Sequence, residues 1–454
     1  MRITVISNKK TIYLALFIFI ILQFVFTDDL EIKTQDINVK DFKIINVSKD
    51  VIDNDINFEW MKEYNLGDKV EIEKIINTSD NGFTVVGSIY DSEMLKNNIS
   101  AYSQAWNMLV FKADRTGKEE WTKKINVNIK DFGNDIINTS DGCFLITGST
   151  VDEFSGYSDD MVPNILLVKL NKDGQTIWIK NIYDKQTIVE SLLEHNNNYF
   201  VFGEKTPESI EDLKSGEFGA YILKADMEGN KVNDYIVKID KGIGRIKRII
   251  EIGNKEYFLL SWKINSLLKV RINENIEIKW NKLYLTVSNS NKNLKVFAEA
   301  NDLIKSSNDS IIITGSYYFK DEKGKEVERI FVFKVDEDGN PLWMRVFVND
   351  EIYGLRGSSI VETKNGEYII AGYTNSKSNN QSKMVLLKVN DNGELQWMQI
   401  NNNDKYKESE LKYLVASDDE NSVIVAGTTL KNGDKNNSLF LGKVNIDEID
   451  IKKK

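Results

Sequence analysis

"SDGCFLITGST" (residues 140–150), followed after a variable stretch by "ILLVKLNKDGQTIWIK" (165–180), decides how this chain folds. The same module returns as "KNGEYIIAGYT" (364–374) and "MVLLKVNDNGELQWMQ" (384–399). It comes round seven times along the 454 residues. A fixed period of about 50 residues marks a repeat architecture. Length alone would suggest two or three domains. Units running almost end to end argue for one.

Each unit holds four short β-like runs, A to D, which in the first complete copy span about 70–78, 83–90, 107–114 and 119–127. The B runs include "FTVVGS", "FLITGS", "IIITGS" and "YIIAGY", and the C runs "MLVFKAD", "LLVKLN", "FVFKVD" and "LLKVN". They are nearly continuous apolar runs, the pattern of strands covered on both faces. In an antiparallel sheet that requires a neighbouring sheet on each side. A ring of radially stacked sheets supplies one for every copy. The fold expected is therefore all-β: a seven-bladed β-propeller of four-stranded antiparallel blades. Turns such as "SDNG", "NKDG", "DEDG" and "NDNG" supply the positive φ of tight hairpins. Their aspartates do not complete an EF-hand ligand set, so they read as plain turns.

Run D carries Trp60, Trp121, Trp178, Trp280, Trp343 and Trp397. In the third unit the nearest aromatic is Tyr235. A side chain recurring at one place in every sheet is expected to wedge against the next sheet. Burying ~200 Å² of indole at ~25 cal/mol/Å² is worth about 5 kcal/mol gross. The first D run, "NFEWMKEY" (57–64), precedes any A, B or C, whereas the last unit ends after its C run in "IDEIDIKKK". The N-terminal strand is therefore expected to complete the last blade and remove an open sheet edge.

"FKADRTGKEEW" (111–121) resembles the tryptophan-docking repeat of quinoprotein-type (PQQ-like) propellers. The alternation of "DGxxxxxG" with "KxDxxGxxxW" is similar to repeats of secreted bacterial β-propeller proteins. The resemblance covers roughly 57–446 and implies the fold; such propellers include enzymes, assembly factors and surface proteins. Catalytic quinoproteins hold their cofactor with calcium, acidic and often cysteine groups. That set has no counterpart in this sequence, and no cofactor is expected.

Residues 11–27, "TIYLALFIFIILQFVFT", are uncharged and follow Arg2, Lys9 and Lys10. This is the n-region and h-region of an export signal, either an uncleaved membrane anchor or a peptide cleaved before Asp28. Either places the body outside the cytoplasm, attached to a membrane through 11–27 or secreted. Residues 28–56 read as a polar tether, 57–446 as the propeller and 447–454 as a charged tail. The net charge of −10 argues against nucleic acid. Cys143 reads as a small core residue, and no disulfide can form within the chain. One His (His195) and one Cys cannot form a usual zinc site or a Cys–His dyad. No phosphate loop or nucleophile elbow occurs.

The A–B and C–D turns are short, whereas the B–C connections are long and unequal, and in an up-and-down blade they share one face. That face is the candidate binding surface, with Trp106, Tyr157, Trp262 and Tyr318 as its candidate ligand-contacting aromatics. The same aromatics also read as loop anchors. A very short fourth B–C turn leaves a notch near Trp262. The function expected is a monomeric, non-catalytic binding or scaffold module at the bacterial cell surface, with a protein or glycan partner. The alternatives are an extracellular enzyme on carbohydrate or using a quinone, and a structural envelope component.

Overall fold

The computed structural model describes residues 28–48, 51–53, 55–92, 106–128, 130–154, 161–184, 186–206, 219–239, 245–261, 266–273, 275–285, 297–320, 326–349, 352, 354–374, 381–419 and 421–446. The apolar segment 11–27 and the tail 447–454 lie outside them. Among the described residues no helix is long and apolar enough to cross a membrane.

The chain is all-β. Strands β1 (Asp28–Ile32), β2 (Thr34–Asn38), β3 (Phe42–Asn46), β4 (Ile52–Asp53) and β5 (Phe58–Tyr64) precede the repeats. Unit one is β6 (Lys69–Asn77), β7 (Phe83–Tyr90), β8 (Trp106–Ala113) and β9 (Glu119–Ile125). Unit two is β10 (Lys130–Asn138), β11 (Phe144–Phe154), β12 (Met161–Leu170) and β13 (Thr176–Ile182). Unit three is β14 (Thr187–His195), β15 (Asn198–Lys205), β16 (Gly219–Ala225) and β17 (Lys231–Ile239). Unit four is β18 (Ile246–Gly253), β19 (Glu256–Ser261), β20 (Ser266–Ile272) and β21 (Ile276–Leu285). Unit five is β22 (Phe297–Lys305), β23 (Ile311–Lys320), β24 (Glu326–Val335) and β25 (Pro341–Val348). Unit six is β26 (Leu355–Glu362), β27 (Tyr368–Thr374), β28 (Met384–Val389) and β29 (Leu395–Ile400). Then come β30 (Tyr406–Ala416), β31 (Ser422–Lys431) and β32 (Ser438–Asn445), whose fourth, antiparallel partner is β5. A single parallel bridge, Lys130 to Trp106, joins units one and two into one sheet.

Successive sheets pack face to face, the layering of a β-propeller. Val85 belongs to one apolar cluster and its neighbour Val86 to the next. Ile312 and Ile313 divide in the same way between flanking clusters. This is why the B and C runs are continuously apolar. The cluster holding Val70, Val85 and Leu109 of unit one also holds Ile424, Ala426, Leu439 and Leu441 from β31 and β32.

The stretch expected to be a polar tether is instead a belt. Strand β1 pairs in parallel with β17, β2 with β21, β3 with β25 and β4 with β29. Each adds a fifth, outermost strand to one sheet. The belt's side chains are mostly polar because only one side of it meets protein: Val39 and Val47 are buried, whereas Ile44 is 52% exposed. The described fold thus begins at Asp28 rather than near residue 57. Cys143 is also corrected. It closes the A–B turn of unit two and is only half-buried, its carbonyl accepting a bond from Thr139 N at 2.9 Å.

Candidate functional site: the axial channel

The innermost strands carry the recurrent irregularity that builds the site. Every A strand has a β-bulge at the same place, so that one residue loses its partner on the B strand. The residues set apart are Glu73, Asn134, Glu190, Lys247, Asn301, Ser358 and Lys412. The repeat glycine of "DGxxxxxG" explains the bulge. A Cβ on Gly315 would collide with the Glu299 carbonyl, which the bulge brings against it. Ser261 stands at this place in unit four. The bulge swings a polar side chain off the packed face and towards the axis.

These side chains stitch each sheet to the next. Asn134 Nδ2 donates to Val189 O, Asn301 Nδ2 to Gly357 O at 2.7 Å, and Ser358 Oγ to Leu411 O at 3.0 Å. The following residue does the same. Asp135 pairs with Lys74 of unit one at 2.5 Å and accepts from Leu192 N of unit three at 2.7 Å. Asp302 accepts from Ser359 Oγ at 2.7 Å and Ile360 N at 3.1 Å.

Arg248 crosses the centre. Its Nη2 donates to Glu73 O of unit one at 3.3 Å, its guanidinium lies 5.6 Å over the Tyr413 ring, and its Nε is 3.8 Å from Asp302. Tyr413 donates to Glu73 Oε2 at 3.2 Å. Groups from units one, four, five and seven are therefore bonded to one another in a plug between the inner strands. Above this plug, Arg356 meets Glu328 at 2.8 Å and Glu299 at 3.5 Å, and donates to Tyr318 and Tyr373 at 3.2 Å. Lys412 pairs with Glu410 at 2.8 Å and sits 5.0 Å over the Tyr373 ring.

Burial, and then the charge of Glu190, push the Glu73 carboxyl above the usual range. Burial, and then Arg248, push Lys247 down to about 8, while its Nζ donates to Asn301 at 2.9 Å. Both side chains are half-buried. Between pH ~8 and the unfolded lysine value of ~10.4, the unfolded chain keeps a proton on Lys247 that the folded chain has released. Stability contributed by this group therefore rises with pH across that window. Urea titrations of wild type and Lys247→Gln at both ends of the window should show this rise in the wild type and its loss in the variant.

The sequence-predicted residues are scattered. Trp106 packs at the junction of units one and two, 5.9 Å from Tyr90 and 6.0 Å from Phe132, with Lys69 5.2 Å over its ring. Tyr318 belongs to the channel rim. Tyr157, Trp262 and most of the B–C connections lie outside the described residues. The D-run tryptophans touch the next sheet. Trp60 overlies Gly117, Trp121 Gly174, Trp178 Gly229, Trp280 Gly339 and Trp343 Gly393. Each of these glycines belongs to a C–D turn. Gly174 needs φ +75° and would bring a Cβ to 2.8 Å from the Trp121 ring. Trp121 Nε1 donates to Lys172 O at 3.2 Å and Trp343 Nε1 to Asp391 O at 3.0 Å. In unit three the register opposite Lys224 places Asn233, not Tyr235, where Trp121 and Trp178 oppose Lys112 and Lys169. Tyr235 is buried in the core between units three and four. Reading the A runs for a polar pair between apolar residues, as in "IEKII" and "GNDII", would have exposed the channel lining.

No protein-family model and no curated protein matches this chain. Among solved structures it is similar to a protein of unknown function from Dyadobacter fermentans, at 8% identity and TM-score 0.47 over 86% of this chain and 99% of that one. It is also similar to Penicillium chrysogenum alpha-L-arabinanase, at 11% identity and TM-score 0.42 over 85% and 94%. A third is the β-propeller domain of the trilobed protease of Pyrococcus furiosus, at 12% identity and TM-score 0.40 over 84% and 97%.

Proposed function

We propose that the chain is a seven-bladed β-propeller closed by β5 and exported across a bacterial membrane by residues 11–27. In this reading it serves at the cell surface as a non-catalytic binding module for a protein or glycan. The ligand rests on the rim formed by Arg356, Tyr318, Tyr373 and Lys412. The plug carries this reading. Arg248, Tyr413, Glu73 and Asp302 are engaged with one another, so the inner strands of units one, four, five and seven are tied together next to the rim residues. A glycan array probed with residues 28–454 and with its Tyr318→Ala variant tests it. Binding that falls at least tenfold in the variant supports the rim; equal binding removes the rim, and a blank array removes the glycan as its ligand.

A second reading is favoured by Glu73 alone. A carboxyl held above its usual range beside Glu190 suits a general acid in glycoside cleavage. Turnover of aryl glycosides, abolished in Glu73→Gln, would establish the enzyme; no turnover on a broad panel excludes it.

A further inference from the structure

The belt closes the outer edges of four sheets and stops. Strands β1 to β4 pair with β17, β21, β25 and β29, the D strands of units three to six. Among the described residues, β5, β9 and β13 keep an open outer edge. An open edge offers a row of main-chain donors and acceptors to another strand, and charged side chains are a usual guard. Strand β5 carries Glu59, Lys62 and Glu63, and β9 carries Glu119, Glu120, Lys123 and Lys124. Strand β13, "TIWIKNI", has Lys180 alone. That lysine shares a face with Trp178, turned towards unit three, where its Nζ donates to Asn230 at 2.9 Å.

The residue that follows the docking position marks the difference. In the belted units it is Asp234, Asn281, Met344 or Met398, none more than 2% exposed. Thr122 and Met61 hold it on β9 and β5 and are half-buried. On β13 it is Ile179, 39% exposed. Ile177 is exposed as well, but so are its counterparts Val232 and Leu342 in belted units.

The belt also shows what such an edge accepts. Met344 N donates to Asp41 O at 2.8 Å, and Val47 N to Val348 O at 2.8 Å, so alternate residues of the D strand turn their main chain outward. Ile179 occupies the place of Met344. The residues that face each other match in polarity. Thr34 faces Asn281 and accepts from its Nδ2 at 2.9 Å. Phe42 faces Met344, and Ile52 faces Met398.

We infer that the outer edge of β13 is a docking site for an extended segment of a partner protein. The segment adds in parallel as a further strand, with an apolar residue opposite Ile179. The site continues the belt interface, because β1 begins at Asp28 on β17 of the very next unit. It rests on the export role proposed for residues 11–27, which takes them away from this edge, and it is independent of the rim.

The experiment uses residues 28–454 and a synthetic peptide of residues 40–48, KDFKIINVS, whose Phe42 leads a belt strand. Hydrogen exchange read by mass spectrometry locates the protected strand, and anisotropy of the labelled peptide gives its Kd. The peptide should slow exchange in β13 and bind with a Kd of about 1 mM or tighter. Ile179→Lys should weaken binding at least tenfold with an unchanged thermal midpoint. A peptide carrying Phe42→Asp should lose as much, and it decides the matter should the protein variant misfold. No protection of β13 at about 5 mM peptide overturns the inference. So does full affinity in Ile179→Lys, or protection confined to β25, where the peptide would only replace its own belt strand. A dimer of residues 28–454 that Ile179→Lys dissociates in sedimentation overturns it in favour of a second copy. Protection of β13 in the full chain without peptide, absent from 28–454, would give the edge to residues 11–27 and overturn their export role as well. Failure of the peptide alone leaves that role standing.

Discussion

Deleting residues 57–66 should abolish cooperative unfolding. Strand β5 pairs with β32 from Tyr64–Leu439 to Phe58–Val444. It is the N-terminal contribution to a sheet otherwise made at the far end of the chain. Its Trp60 covers Gly117, the Tyr64 ring lies 4.5 Å from Phe111, and Tyr64 donates to Gly117 O. Glu63 pairs with Lys431 at 3.0 Å, and Glu59 with Lys443 at 2.8 Å. Trp60 and Tyr64 are partly buried against the cluster of unit one, and losing a fully buried aromatic costs ~3–5 kcal/mol, an upper bound for each. Two of them, with the exposed edge of β32, approach the ~5–15 kcal/mol that holds a typical domain together. Thermal denaturation followed by circular dichroism should change from a single sharp transition to a broad one. An unchanged transition would refute closure by β5. Deleting the belt, residues 28–53, should be milder, because it removes main-chain pairing and few core side chains.

Trp343→Ala should cost ~3–5 kcal/mol, whereas Asn233→Ala at the equivalent place in unit three should change stability by less than ~1 kcal/mol. Trp343 is 7% exposed, and its ring overlies Gly393. Arg345 stacks 5.3 Å over it and in turn holds Asp41 of the belt at 2.9 Å. Removing the indole therefore leaves a cavity, an unbonded Asp391 carbonyl and a loosened belt. Asn233 covers no such surface. Urea midpoints at constant m-value measure both. A cost below about 1 kcal/mol for Trp343→Ala would show that the indoles are not inter-sheet wedges.

Much of the architecture was legible in the chain. Continuous apolar B and C runs announce sheets covered on both faces, and "DEDG" or "NKDG" announces the turn between C and D. The belt was not legible. Strands such as "TQDIN" and "FKIIN" carry too little apolar pattern to be recognised alone, since they gain their partners only once four D strands stand ready at the sheet edges. The channel was missed for a related reason. Glu73 or Lys247 looks like an ordinary outward-facing residue until the bulge opposite Gly87 or Ser261 turns it inward. Unit three shows the limit of counting aromatics: Tyr235 is the nearest one, but only cross-strand register with Lys224 identifies Asn233 as the substituted position.

The repeated tryptophans, glycines and apolar runs by themselves determined an all-β chain of similar four-stranded units, because local turn chemistry and strand burial are encoded within each fifty residues. Tertiary structure alone decided that residues 28–53 wrap those units, that the charged residues of the inner strands meet at one axis, and that the outer edge of β13 stays open among the described residues. Those outcomes depend on contacts between residues as far apart as Asp41 and Arg345, or Glu73 and Arg248. No single repeat contains both partners of such a contact, so no local pattern could record it.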